Sequence, residues 1–258
     1  MKKIETIGIV GGVGPYAGLD LNRKIFDHTN ASSDQDHLPV LLGSLSHLIG
    51  DRTRYLLDND IKNPSENIFK VIRLLANAGA TVIGIPCNTA HADEILSDVE
   101  RRIADAGLDI KLLNMVREVG QFVSKTYGPG TQVGVLSTLG THKAGLYRKL
   151  LKKEGIQIIN PEDDLVDSVH YAIYDPEIGI KSKSNPVTEE AQKIVKKAVY
   201  QLGDQGASAV ILGCTELPIA IPETVLDKIF LIDPATILAR ALIREVAPEK
   251  LIHISSIS

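Results

Sequence analysis

The chain has 258 residues, is 44% hydrophobic and carries a formal net charge of -4, which is enough sequence for one large or two modest α/β domains with filled cores. Both signs of charge are scattered, so no basic stripe offers itself to a phosphate backbone and nucleic acid is not an expected partner. Two cysteines, Cys87 and Cys214, make neither a zinc cluster nor a disulfide framework, and no stretch approaches the roughly 20 apolar residues of a membrane span.

The first ten residues, MKKIETIGIV, run straight into a strand pattern without a secretory h-region or cleavage site. A soluble cytoplasmic protein with reduced thiols is therefore expected. Residues 4–10 predict a strand, followed by a glycine turn and a helix over 17–29. A second strand is predicted over 40–45, and a helix over 65–78 from Ile68, Val71, Ile72 and Leu75 at helical spacing. A strand over 81–85, a helix over 89–106 and a short strand over 110–113 follow. Alternation of this kind predicts parallel βαβ units with right-handed crossovers.

The Gly-Pro-Gly string at 128–130 is the clearest break, and after it the pattern restarts. A strand over 133–136, a helix over 145–154 and a strand over 156–159 are predicted. Next come a helix over 188–205, strands over 209–212 and 229–232, and a helix over 234–246. Residues 174–186 are polar and breaker-rich, hence a loop able to close over a site. The division expected is a first lobe over 1–115, completed by 228–258, and a second lobe over 116–227.

An internal repeat is the most informative feature. Ile7-Gly8-Ile9-Val10 recurs as Val133-Gly134-Val135-Leu136, an offset of 126, and Gly79-Ala80-Thr81-Val82-Ile83 recurs as Gly206-Ala207-Ser208-Ala209-Val210, an offset of 127. In each copy the cysteine lies eight residues after that glycine. Two related lobes therefore put a thiol at the same structural point.

In open parallel sheets, ligands bind beyond the carboxyl ends of the strands. Cys87 lies there in Pro86-Cys87-Asn88-Thr89-Ala90-His91, and Cys214 in Gly213-Cys214-Thr215-Glu216. Asn88, Thr89 and Thr215 would open the following turn or helix, where free N–H groups can take a carboxylate and the dipole favours thiolate. Exchange of a hydrogen at a carbon stereocentre needs a base on one face and an acid on the other, which two opposed thiols supply. The bland alternative is a pair of buried structural cysteines.

These motifs resemble the cofactor-independent aspartate/glutamate racemase superfamily, and its aspartate racemase branch more closely. The resemblance rests on Gly11-Gly12-Val13-Gly14-Pro15, Asp51-Arg52-Thr53, the two cysteine motifs, Gly179-Ile180-Lys181 and the continuation Leu217-Pro218, which together span nearly the whole chain. It implies two pseudo-symmetric, Rossmann-like α/β lobes with mostly parallel sheets, an active site in the cleft between them, no pyridoxal phosphate or other cofactor, and a homodimer. It makes Cys87 and Cys214 the catalytic thiols, with Cys214 serving the L-enantiomer and Cys87 the D-enantiomer. The glutamate branch opens with Asp-Ser-Gly and has Cys-Thr-His at the second thiol; this chain has the glycine turn and Cys214-Thr215-Glu216, which favours aspartate.

Substrate carboxylates are then expected on Asn88, Thr89 and Thr215 on one side and on Arg52 and Lys181 on the other. Arg52 is read as a residue of a polar loop whose fork selects an acidic side chain, and Lys183 is the alternative to Lys181. Gly12 and Gly14 let backbone approach a ligand. They also give a weak dinucleotide fingerprint, but no acidic residue ends the second strand, so a nucleotide cofactor is not expected. Ser137, Thr138 and Thr141 mirror the glycine turn in the second lobe and either bind substrate or cap a helix. His91 and Glu216 either tune a thiol or serve as ordinary first-turn residues. The leading expectation is cofactor-free racemisation of aspartate. Glutamate or broad-specificity racemisation is the near alternative, and a non-catalytic amino-acid-binding protein the distant one.

Overall fold

The computed structural model describes residues 5–58, 60–159 and 161–253. Its first half runs β1 (Ile7–Gly11), α1 (Pro15–Asp27), β2 (Val40–Ser44), α2 (Arg52–Leu57), α3 (Ser65–Asn77), β3 (Val82–Gly84), α4 (Asp93–Asp105) and β4 (Lys111–Leu113). The second half runs α5 (Met115–Tyr127), β5 (Gln132–Leu136), α6 (Leu139–Ala144), α7 (Leu146–Lys153), β6 (Gln157–Ile159), α8 (Asp163–Tyr174), α9 (Glu189–Asp204), β7 (Ala209–Leu212), α10 (Leu217–Ala220), β8 (Val225–Leu226), β9 (Ile229–Ile232) and α11 (Pro234–Val246). Residue 4, the expected start of the first strand, lies outside the described residues.

The strands form two sheets, ordered β2-β1-β3-β4 and β6-β5-β7-β9-β8, and every pairing is parallel except β8 with β9. The central strands β1 and β7 are buried at every position, as parallel strands covered on both faces must be. Helices α3 and α4 cover one face of the first sheet through Ile68, Ile72, Ile95 and Val99, and α1 and α11 cover the other through Leu21, Ile25, Leu238 and Leu242. The second sheet lies between α8 and α9 on one side and α5 and α7 on the other. Each large aliphatic side chain fully buried in these layers contributes about 1.5–3 kcal/mol.

The repeat is structural. The first four strands of each sheet follow the same order, and Ile7 opposes Val82 as Val133 opposes Ala209. Gly79 and Gly206 both end a helix with φ near +100° (104° and 101°). Behind them Ala80 and Ala207 donate to the carbonyls of Leu75 and Leu202, both at 2.9 Å. This six-to-one hydrogen bond reverses the chain into the next strand and needs the left-handed conformation that glycine takes without strain.

Several expectations change. The strand at 229–232 does not complete the first lobe: β9 pairs with β7 in the second sheet, while α11 crosses to pack on α1 and β3 of the first. The helix expected over 89–106 is two pieces, a 3-10 turn at Thr89–His91 and then α4, broken where Ala92 is extended at ψ 140°. Arg52 is the first residue of a helix rather than part of a loop, because the Asp51 side chain caps the backbone N–H of Arg54 at 2.8 Å. Helices α2, α5, α6 and α8 fall where no helix was expected.

Candidate active site

The strands deliver the site residues to one end of both sheets. Cys87 lies three residues beyond β3 and Cys214 two beyond β7, while Thr138 follows β5 and the glycine turn follows β1. Both cysteines are free and buried, at 7% and 6% exposure, and both line one small pocket of about 10 Å³. Arg52, Thr53, Asn88, Thr89, Thr138, Tyr174, Lys181, Thr215 and Glu216 complete its wall.

The lobes are tied across this pocket. Thr215 Oγ1 donates to the Pro86 carbonyl at 3.1 Å, joining one thiol loop to the other. Tyr147 donates its hydroxyl to Asn88 Oδ1. Thr53 and Thr138 share a hydrogen bond of 3.0 Å, Thr138 and Thr141 one of 3.3 Å, and Thr141 and Thr89 one of 2.8 Å. The Tyr174 hydroxyl donates to Asp51 at 3.0 Å.

Arg52 is 8% exposed. Its Nη2 donates to the Val13 carbonyl at 2.6 Å and its Nη1 to that of Gly50 at 3.1 Å. Burial works against its charge, but the facing Cys87 sulfur and Asp51 hold its pKa above the ordinary arginine value. Arg52 Nε and Asn88 Nδ2 are buried without a hydrogen-bond partner among the described residues. Two such donors on one pocket wall suit a carboxylate, because an unpaired buried donor costs about 1–3 kcal/mol.

Cys214 has a different neighbour. Its thiol donates to Glu216 Oε2 at 3.0 Å, and Lys181 forms an ion pair with Glu216 Oε1. Burial first, and then the Glu216 carboxylate, push the Cys214 thiol well above its ordinary pKa. Burial would raise Glu216, yet Lys181 and the Cys214 thiol hold it below the usual carboxylate range. Lys181 in turn is raised by Glu216 and Cys214 against its own burial.

Lys181 lines the pocket and Lys183 is exposed. The intervening segment after α8 is a loop, pinned where Ile180 and Lys181 donate their N–H groups to the carbonyls of Ala172 and Ile173. Gly12 and Gly14 do not line the thiol pocket; they border an adjacent cleft of about 220 Å³ that shares Arg52, Lys181 and Glu216 with it. A Cβ on Gly14, where φ is +131°, would stand 2.6 Å from Glu216 Oε1, so this glycine makes room for the carboxylate. Thr141 stands behind the pocket, holding Thr89 and Thr138 and helping Thr138 cap α6, and Ser137 also lies outside the lining. The elements after the thiols are a 3-10 turn and the four-residue α10, too short for a substantial helix dipole.

His91 holds backbone in place. The Met115 N–H donates to its Nε2 at 3.2 Å, so the ring hydrogen is on Nδ1, which donates to the Cys87 carbonyl at 2.8 Å. Burial lowers its pKa to about 4, offset in part by that carbonyl. Sequence reasoning missed Thr53, Tyr147 and Tyr174. Thr53 alone had a signal, as the neighbour of Arg52; the tyrosines come from α7 and α8, across the lobe boundary.

Fold and site together define a two-lobed α/β protein with paired thiols at a polar pocket between its repeats. The chain belongs to the Asp/Glu/hydantoin racemase family, whose profile matches residues 10–242. It is similar to the structure of the Picrophilus torridus aspartate racemase, at 28% identity and a TM-score of 0.77 over 94% of each chain. It is 25% identical to the broad-specificity amino-acid racemase RacX of Bacillus subtilis, over 92% of this chain and 96% of that protein. Its identity with the glutamate racemase of Limosilactobacillus reuteri (strain DSM 20016) is 26%, over 72% of this chain and 65% of that protein.

Proposed function

We propose that this protein interconverts L- and D-aspartate by moving the α-proton between Cys87 and Cys214 without a cofactor. The observation that carries the reading is the convergence of both thiols, from equivalent points of the two repeats, on one buried pocket with Arg52, Asn88 and Lys181. One sulfur as thiolate removes the α-hydrogen while the other as thiol protonates the opposite face, so the proton count balances and the two cysteines exchange states. Arg52 Nε and Asn88 Nδ2 take substrate carboxylate oxygens, with Thr89, Thr138 and Thr215 supplying hydroxyls. Glu216 is the only carboxylate on the pocket wall among the described residues, and its two oxygens hold the Cys214 thiol and Lys181.

The broad-specificity reading draws support from the similarity to RacX over nearly the full length of both chains. One methylene separates aspartate from glutamate, which a pocket discriminates by only about 1–3 kcal/mol. The experiment incubates purified protein with L-aspartate in deuterium oxide, without pyridoxal phosphate, and follows α-proton exchange by NMR and D-aspartate by chiral chromatography. Exchange with D-aspartate formation is expected. Neither exchange nor D-aspartate, alongside turnover of another amino acid in the same assay, overturns the substrate; silence across the whole series overturns the reaction.

A further inference from the structure

The two thiol loops are related by the repeat, yet one faces a cation and the other an anion. Resting on the two-thiol reading above, we propose that Glu216 is a positioning residue that holds the proton of the pair on Cys214 until substrate arrives. Its Oε2 accepts the Cys214 thiol hydrogen at 3.0 Å while Lys181 fixes its other oxygen.

An ionised carboxylate has no hydrogen to give. The short contact from Cys214 to Glu216 therefore places the hydrogen on sulfur, provided the carboxylate stays charged. Lys181 ensures that it does: Glu216 is buried, and Tyr174 lies under Lys181, with the Lys181 ammonium 5.4 Å from the ring centre. Removing the thiol proton would set a thiolate against a carboxylate that cannot withdraw, because the glycine turn at Gly14 closes around Glu216 Oε1. The charged and titratable groups that face Cys214 and Glu216 are Tyr174 from the end of α8, Lys181 from the segment after it, Arg52 from α2, and Cys87 on the same pocket. Of the two cations, Lys181 is committed to Glu216 and Arg52 faces Cys87.

The arrangement follows from local sequence rather than from the repeat. Two residues after Cys214 stands Glu216, and two after Cys87 stands Thr89. The substrate-free protein is accordingly poised for the enantiomer whose α-hydrogen faces Cys87.

The test is thiol-specific alkylation of the full-length protein with iodoacetamide, reading the Cys87 and Cys214 peptides separately by mass spectrometry over a pH series from neutral to about 10. Both thiols are buried at one pocket, so the pH midpoint of each, read separately, reports the charge around its sulfur. In the wild type, Cys87, faced by Arg52, is expected to react faster than Cys214, faced by Glu216, near neutral pH. Glu216→Gln should speed Cys214 about tenfold and lower its pH midpoint by about one unit or more, with Cys87 little changed. Glu216→Asp, which keeps a carboxylate, should stay nearer the wild type.

An unchanged Cys214 midpoint in Glu216→Gln, or equal acceleration of both thiols, overturns the proposal; should that variant not fold, coincident Cys87 and Cys214 midpoints in the wild type do the same. The readout needs no turnover. Loss of aspartate racemisation with the Cys214 shift intact would remove the reaction and leave this pairing standing, whereas racemisation with an unmoved Cys214 would remove the pairing alone.

Discussion

The loops carrying Cys87 and Cys214 occupy the same place in two copies of one strand–helix pattern, and comparing them separates what the fold supplies from what individual residues supply. Both thiols sit just past the central strand next to the first strand of their sheet, and both are buried at the pocket. The fold thus supplies position. Chemistry differs: the Cys87 loop is clamped by His91 on its backbone and faced by Arg52, whereas the Cys214 loop has no such histidine and faces Glu216. Parallel βαβ topology places a residue at a strand end whatever its charge, and the side chains around it there set its chemistry.

The largest expected effect comes from breaking the pair itself. Cys87→Ser and Cys214→Ser should each lower racemisation by about 10²–10⁴-fold, the usual share of a positioned proton-transfer group. Residual α-deuterium exchange should survive in opposite enantiomers, D-aspartate with Cys214→Ser and L-aspartate with Cys87→Ser. Exchange of the same enantiomer by both variants, read by proton NMR, would mean that the sulfurs do not address opposite faces.

The clamp that only the Cys87 loop has offers a second way in. His91 is held neutral, with its pKa lowered to about 4 by burial against an ordinary value of 6.5. The unfolded chain takes up the proton first as pH falls, so the stability is whole above about 6.5 and is lost progressively down to about 4. From these two values the loss amounts to about 3 kcal/mol. His91→Gln does not titrate, so its unfolding free energy in urea should fall less between pH 7 and pH 4 by about that amount. Equal acid sensitivity in the two proteins would deny His91 this role.

The smallest effect tests the seam between the loops. Thr141→Val removes the hydroxyl that joins Thr89 of one lobe to Thr138 of the other. It should cost about 1 kcal/mol in urea unfolding and reduce turnover by less than about tenfold. A larger loss of turnover at unchanged stability would move Thr141 from a supporting to a substrate-contacting residue.

The fold was legible where backbone geometry constrains residue type. Gly79 and Gly206 are readable because the chain reversal after α3 and α9 needs a positive φ, and the repeat they mark leads to both cysteines. Helix α5 was hidden by its own packing: Val116, Val119 and Val123 carry the helical spacing, but β-branched residues and a central Gly120 argue locally against a helix. The glycine is there because a side chain would collide with Leu150 of α7. Helix α8 kept a plain signal in Asp163, Asp164, Leu165, Val166 and Val169, and it delivers Tyr174 to the pocket. The allocation of the strand at 229–232 could not be read, since a buried parallel strand has the same composition in either sheet. Lys181 and Glu216 were both singled out, but their pairing is tertiary, across 35 positions of chain, and no periodicity records it.

The threonine seam has one further consequence. Thr53, Thr138, Thr141 and Thr89 form an unbroken run of hydroxyls from the first lobe through the second and back. A hydroxyl has one hydrogen to give, and Thr138 gives its own to Thr141, so Thr53 is the donor in its bond with Thr138. The seam therefore has a fixed sense where it crosses from the first lobe into the second, and the residue that sets it stands next to Arg52.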